Sequence, residues 1–203
     1  MPINKSLNQL KSLKDEFPQI CTKMMKANNG NMCLLDIFVL GTIHRSLLLI
    51  SGFCDLLEEE NFLCSASLIR QHLDTLLHLH AISIVKNPDD FSMKIMNGKE
   101  TRNLKDRNGN KMTDNYLATS LTAIKQFDWV KKVYNETSKF IHFTNKYIFS
   151  ACNGMKGRKI SLTLSDKLEV PDSRKEEAIG VMIEITTGII TYLNRWIDQK
   201  NTF

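Results

Sequence analysis

The stretch YNETSKFIHF, Tyr134 to Phe143, ends on a single histidine, His142, in the most basic part of the chain. An imidazole titrates near neutrality, so a histidine in such a place can give or take a proton during catalysis. Residues 125–159 carry eight lysines and arginines against two acids, and aromatic residues such as Phe127, Trp129, Tyr134 and Tyr147 are interleaved with them. Lysines that hold phosphates and rings that stack on bases make a nucleic-acid surface. Lys131, Lys132, Lys139 and Lys146 are the candidates for holding an RNA backbone. The plainer reading is a solvated outer helix face whose aromatics belong to the core.

Polar groups inside apolar segments are the second source of chemistry. In SLIRQHLDTLLHLH, Arg70, Asp74 and His78 follow at four-residue spacing and form one polar stripe on a helix. Arg45 lies midway along the apolar run LLDIFVLGTIHRSLLLISGF. A charge buried there needs a partner, so Arg45 is expected to be buried and paired with a carboxylate. Arg45 with Asp74, or Arg70 with Asp74 along one helix, are the bridges the spacing allows. His72, His78 and His80 lack the i, i+4 spacing of paired metal ligands, and neither a metal nor a cofactor is expected. The chain contains no GxxxxGK[ST], GxGxxG or GxSxG, which removes P-loop, dinucleotide and hydrolase-elbow chemistry. Its five cysteines are scattered among apolar neighbours without a C-x-x-C pair, as structural thiols in a reducing compartment would be.

These groups must be positioned by helices. With 203 residues and 42% hydrophobic content, one domain spanning 1–203 is expected. Leu7, Leu10, Leu13, Phe17, Ile20 and Met24 mark a first helix that ends at the asparagine cluster Asn28–Asn31. A second, near-continuously apolar helix over about 32–60 is expected to be central. The third starts at an Asn61 cap, ends before Pro88 and pairs antiparallel with the second. Residues 89–114 lose periodicity and are expected to form a mobile polar loop. One or two helices over 115–149, broken near Asp128, precede a β-hairpin near 146–164 with IFSAC and KISLTL as its arms. The last helix is expected to open on a capping box from Ser173 to Glu176. The predicted class is all-α: a single-domain bundle of about five helices with one small hairpin. The N-terminal segment has no signal-peptide core, and the longest apolar run is broken by Asp36, His44 and Arg45. A cytoplasmic protein without a membrane span is therefore expected.

A helical bundle with an internal arginine and a late-helix polar run ending in histidine, NETSKFIH, resembles the HEPN superfamily. That resemblance implies small all-α domains, commonly homodimers, many of them metal-independent ribonucleases of bacterial defence and toxin–antitoxin systems, where an inhibitory protein partner is expected. The family's mark is an arginine, four to six residues, then a histidine. No arginine stands in the six-residue window before His142, so Arg70 or Arg45 would have to reach it from a neighbouring helix. The implied chemistry is transfer of the 2′-OH proton to a base, attack of the 2′-oxygen on phosphorus, and protonation of the leaving 5′-oxygen. His142 would be the acid or base, and Arg70 or Arg45 would stabilise the phosphorane. The competing expectation is a non-catalytic interaction or dimerisation module.

Overall fold

The structure is a computed structural model that describes residues 3–141, 152–156, 159–162, 164, 165, 167, 168 and 170–202. Among the described residues it is all-α apart from one short hairpin. Seven α-helices are present among the described residues: α1 (Ile3–Lys26), α2 (Leu34–Glu58), α3 (Phe62–Ile84), α4 (Pro88–Met96), α5 (Asp114–Thr122), α6 (Val130–Ile141) and α7 (Asp172–Lys200).

Four long helices close a ring, with α1 against α2, α2 against α3, α3 against α7 and α7 back against α1. Phe17, Phe53, Ile50, Leu73, Leu76 and Met182 fill its centre. The helix boundaries follow from local chemistry. α1 stops where Asn28, Asn29 and Gly30 take positive φ, a region that asparagine and glycine enter most easily. Asn61 caps α3 by accepting from the Cys64 N–H at 3.2 Å, as the sequence predicts. The expected break near Asp128 falls between α5 and α6, where a 3₁₀ turn spans Lys125–Phe127.

α2 and α3 run antiparallel, since Arg45 meets Thr75 while Gly52 lies against Leu68. α2 touches α1, α3, α4 and α7, as expected of a central helix, and α3 shares that place, touching α2, α4, α5, α6 and α7. α2 has the length and hydropathy to cross a membrane, but it buries one face in the bundle and leaves Ile37 and Leu48 half or more exposed on the other.

Two sequence expectations are corrected. The segment expected to be loop begins with α4, which Pro88 at its first turn and the Asn87 side chain, accepting from Asp90 N–H at 3.0 Å, set up locally. At nine residues, α4 is too short to show a periodic stripe. The Ser173 capping box does not form as the start of the last helix, because Pro171 is the cap residue and Ser173 already lies inside α7. The expected hairpin is present: Cys152–Lys156 (β1) pairs antiparallel with Lys159–Leu162 (β2), with an irregularity in register between Cys152 and Gly154, while residues 148–151 of the expected IFSAC arm lie outside the described residues.

Candidate functional site

The polar stripe of α3 lies where α5 and α6 pack on it. Arg70, 5% exposed, forms ion pairs with Asp74 one turn along the same helix and with Asp114 Oδ2 at 3.3 Å. Asp114 is the first residue of α5, and it is held there because Thr113 caps that helix by accepting from Tyr116 N–H at 3.3 Å. The Arg70–Asp74 bridge is one of those the sequence predicts.

Tyr134 of α6 places its ring 4.4 Å from the Arg70 guanidinium, and the Lys131 ammonium lies 5.1 Å from the same ring. Lys131 also donates to the Asn115 side chain, so its ammonium is anchored to α5. Two carboxylates and a π face thus surround a guanidinium that burial would otherwise penalise by several kcal/mol. Arg70 Nε remains buried with no acceptor among the described residues. Further along α6, Lys132 is exposed and Lys139 pairs with Glu136 at 2.9 Å. Thr137 and Ser138 turn their hydroxyls back onto the helix carbonyls of Val133 and Tyr134. The arrangement therefore holds α6 by a fixed ionic centre at one side and presents lysines at the other.

Arg45 does not behave as expected. It is exposed and has no carboxylate within ion-pair distance among the described residues. Its Nε donates to Thr75 Oγ1 at 3.1 Å and its Nη2 to the Gln71 carbonyl at 3.5 Å. From the outer edge of α2 its long side chain lies across α3 and keeps the charged head in water, which removes the need for an ion pair. Arg45 lines a cleft of about 470 Å³ together with Asp74, His78, Phe38 and Met96.

The His78 ring in that cleft is set by the Asp74 carbonyl, which accepts from Nδ1–H at 2.7 Å. The Nε2 atom is then a bare acceptor. Burial lowers the His78 pKa, against the pull of Asp114, so the ring is neutral at pH 7. A neutral imidazole beside a guanidinium can accept a proton or a hydrogen bond from a group seated there.

His142 and Lys146 lie outside the described residues, so the structure brings together Arg70, Asp74, Tyr134 and Lys131, and separately Arg45, Asp74 and His78. The other two α3 histidines are core residues. His72 Nε2 meets Thr186 Oγ1 at 3.1 Å, while His80 bridges Tyr192 Oη at 2.9 Å and Ser120 Oγ at 3.0 Å. No group of three or more metal-ligating side chains occurs among the described residues.

Sequence reasoning misses Asp114 as a partner of Arg70, and it reads Tyr134 as a base-stacking or core ring and not as the ring over Arg70. Asp114 was visible as a helix start after a capping threonine, but its link to Arg70 depends on how α5 packs. Tyr134 follows Lys131 at helical spacing, and nothing local distinguishes it from a core ring. No protein-family model matches the chain, and neither does any curated protein or solved structure.

Proposed function

We propose that the protein is a HEPN-like RNA-binding protein in which α6 is the RNA-facing helix and the buried Arg70 centre fixes it in place. What carries this reading is the pairing of opposites on one helix: Tyr134 is locked over a compensated guanidinium with half-buried Lys131 beside it, while Lys132 is exposed at the surface. Lysines on such a helix would meet phosphates of a single strand, and affinity then depends strongly on salt. Arg70 acts as a positioning residue in this scheme, since its charge is already shared by Asp74 and Asp114.

Cleavage is the finer form of the same proposal. His142 follows directly on the last described residue of α6 and would exchange the proton in a metal-independent 2′-oxygen attack. The test is fluorescence anisotropy on a panel of labelled single-stranded RNAs, with cleavage followed in EDTA. Lys131→Glu with Lys132→Glu should weaken binding and flatten its salt dependence. His142→Ala should abolish cleavage and leave affinity unchanged, because the histidine would act in the transition state. A folded wild-type chain that neither binds nor cuts any RNA at low salt rejects the proposal.

A second reading, an interaction module, is favoured by the open face of α2, where Ile37 and Leu48 flank Gly41, whose Cα faces open space. On this reading a second copy of the chain covers that face, giving a homodimer. Sedimentation should then show a dimer at micromolar concentration, which Leu48→Glu converts to monomer.

A further inference from the structure

A second cleft, of about 650 Å³, opens where the C-terminal turns of α3 and α7 meet the start of α2. It shares no lining residue with the Arg45 cleft. Lys86, Arg107 and Arg195 all line it, and no carboxylate does.

Two of its features are held rigidly. The backbone N–H of Arg107 donates to the Ile84 carbonyl at 2.9 Å, its Nε to the same carbonyl at 3.0 Å, and its Nη2 to the Ser83 carbonyl. The preceding residue, Asp106, anchors the loop by accepting from the N–H groups of Asn108 and Asn110 at 2.9 and 2.8 Å and from Tyr116 Oη–H at 2.5 Å. On the opposite wall, Trp196 is pinned by its Nε1–H donating to Asp36 Oδ1 at 2.9 Å, and the Arg195 guanidinium stands 5.7 Å from the Tyr192 ring centre.

Capping the end of α3 accounts for Arg107. It does not account for Lys86 and Arg195, which form no ion pair among the described residues and leave the cleft with uncompensated positive charge. Cations gathered in a concave site with low-dielectric walls focus their field on whatever enters it. An arginine guanidinium fits phosphate or carboxylate oxygens, and a lysine ammonium adds a point charge beside it. The volume falls within the range of ligand sites, and the partly exposed Trp196 ring offers a surface for a flat apolar body.

We infer that this cleft binds a small organic polyanion, with a planar ring against Trp196 and its anionic groups among Lys86, Arg107 and Arg195. The site is independent of the α6 RNA surface.

Titration calorimetry on the full chain at low salt tests it, with ADP, pyrophosphate and adenosine as probes. ADP and pyrophosphate should bind, and adenosine should be at least tenfold weaker than ADP. Lys86→Gln with Arg195→Gln, both exposed and neither capping a helix, should weaken ADP at least tenfold at an unchanged thermal midpoint. Ile124→Trp, which narrows the cleft without altering charge, should weaken ADP as well. Failure of both ADP and pyrophosphate to bind the folded wild-type chain at millimolar concentration overturns the inference, as does a Lys86→Gln/Arg195→Gln protein that binds them like wild type.

Discussion

Lys200 Nζ lies 2.8 Å from Asp36 Oδ2, and neither side chain is more than 3% exposed, so the last turn of α7 is tied to the first turn of α2 through the core. The pair is fully bonded. Asp36 also accepts from Cys33 N–H at 2.8 Å and Trp196 Nε1–H at 2.9 Å, while Lys200 donates to the Met24 carbonyl at 3.2 Å. Burial alone would push the Asp36 carboxyl up, but the hydrogen bonds from Lys200, Cys33 and Trp196 together bring it below the usual carboxylate range.

Lys200→Met should therefore destabilise the protein by about 3–5 kcal/mol, because it leaves a buried carboxylate without its cation. Asp36→Asn with Lys200→Met should recover much of that loss, since no charge then remains buried. In the wild type the contribution of Asp36 is present above pH of about 4 and is lost as pH falls through the lower folded pKa. Urea unfolding of the three proteins at pH 7 checks the first two statements; a Lys200→Met protein as stable as wild type contradicts them.

His72 and His80 set a different pH dependence. Burial brings His72 to about 3, with Arg45 adding repulsion, and brings His80 to about 4. His72 Nδ1 is buried without a partner among the described residues, so a proton placed there would be an unsolvated charge. The unfolded chain takes up these protons near pH 6.5, and stability should fall as pH drops below that value by about 1.4 kcal/mol per unit for each histidine. Unfolding free energies at pH 7, 6 and 5 should thus decline well before any carboxylate titrates. A flat profile over that range is the contrary result.

Much of the bundle was legible because its signals are local. The Asn61 cap, the antiparallel pairing of two long apolar helices, the break near Asp128 and the Arg70–Asp74 bridge each rest on residues a few positions apart. What was not legible depends on the helix circumference or on distant sequence. Asp36 broke an apolar run as plainly as Arg45 did, yet its partner Lys200 is 164 residues away. Arg45 was misjudged for the opposite reason: composition places it in an apolar segment, but only the packing of α2 shows that its face is open to solvent. The site itself was half visible, since Arg70 and the α6 lysines carried recognisable chemistry while Asp114 and Tyr134 join them only through the fold.

The two arginines should respond differently to the same substitution. Arg45→Met removes an exposed charge with two neutral acceptors and should change stability by less than about 0.5 kcal/mol. Arg70→Met leaves Asp74 and Asp114 facing each other with no cation between them and should cost about 3 kcal/mol. Equal thermal midpoints for the two variants would contradict the ionic centre.

Gly188 sets two effects against each other. Alanine in a helix interior gains about 1 kcal/mol over glycine. A Cβ at Gly188, however, would stand 2.9 Å from Phe127 Cε1 and 3.1 Å from Leu76 Cδ2, where α7 meets α3 and the turn before α6. Phe127 is itself stacked on Tyr192 at 5.8 Å, so it has little room to retreat. Overpacking of this kind costs about 1–3 kcal/mol, and Gly188→Ala should be net destabilising. A raised midpoint would mean that the Phe127 ring moves freely.

The lysines of α6 should contribute unequally to RNA binding if that helix is the RNA-facing surface. Lys139 is engaged by Glu136 and Lys131 by Asn115 and the Tyr134 ring, whereas Lys132 is exposed with no such contact among the described residues. A lysine already bonded to a carboxylate gives up that bond when it meets a phosphate, so its net gain is smaller. Lys132→Ala should therefore weaken RNA more than Lys139→Ala. It should also lower the slope of log K against log salt by about 0.7, the share of one phosphate contact on a single strand. The measurement is anisotropy at several salt concentrations between 50 and 200 mM. Identical slopes for wild type and Lys132→Ala would remove α6 from the interface, whatever the affinity of the protein for RNA.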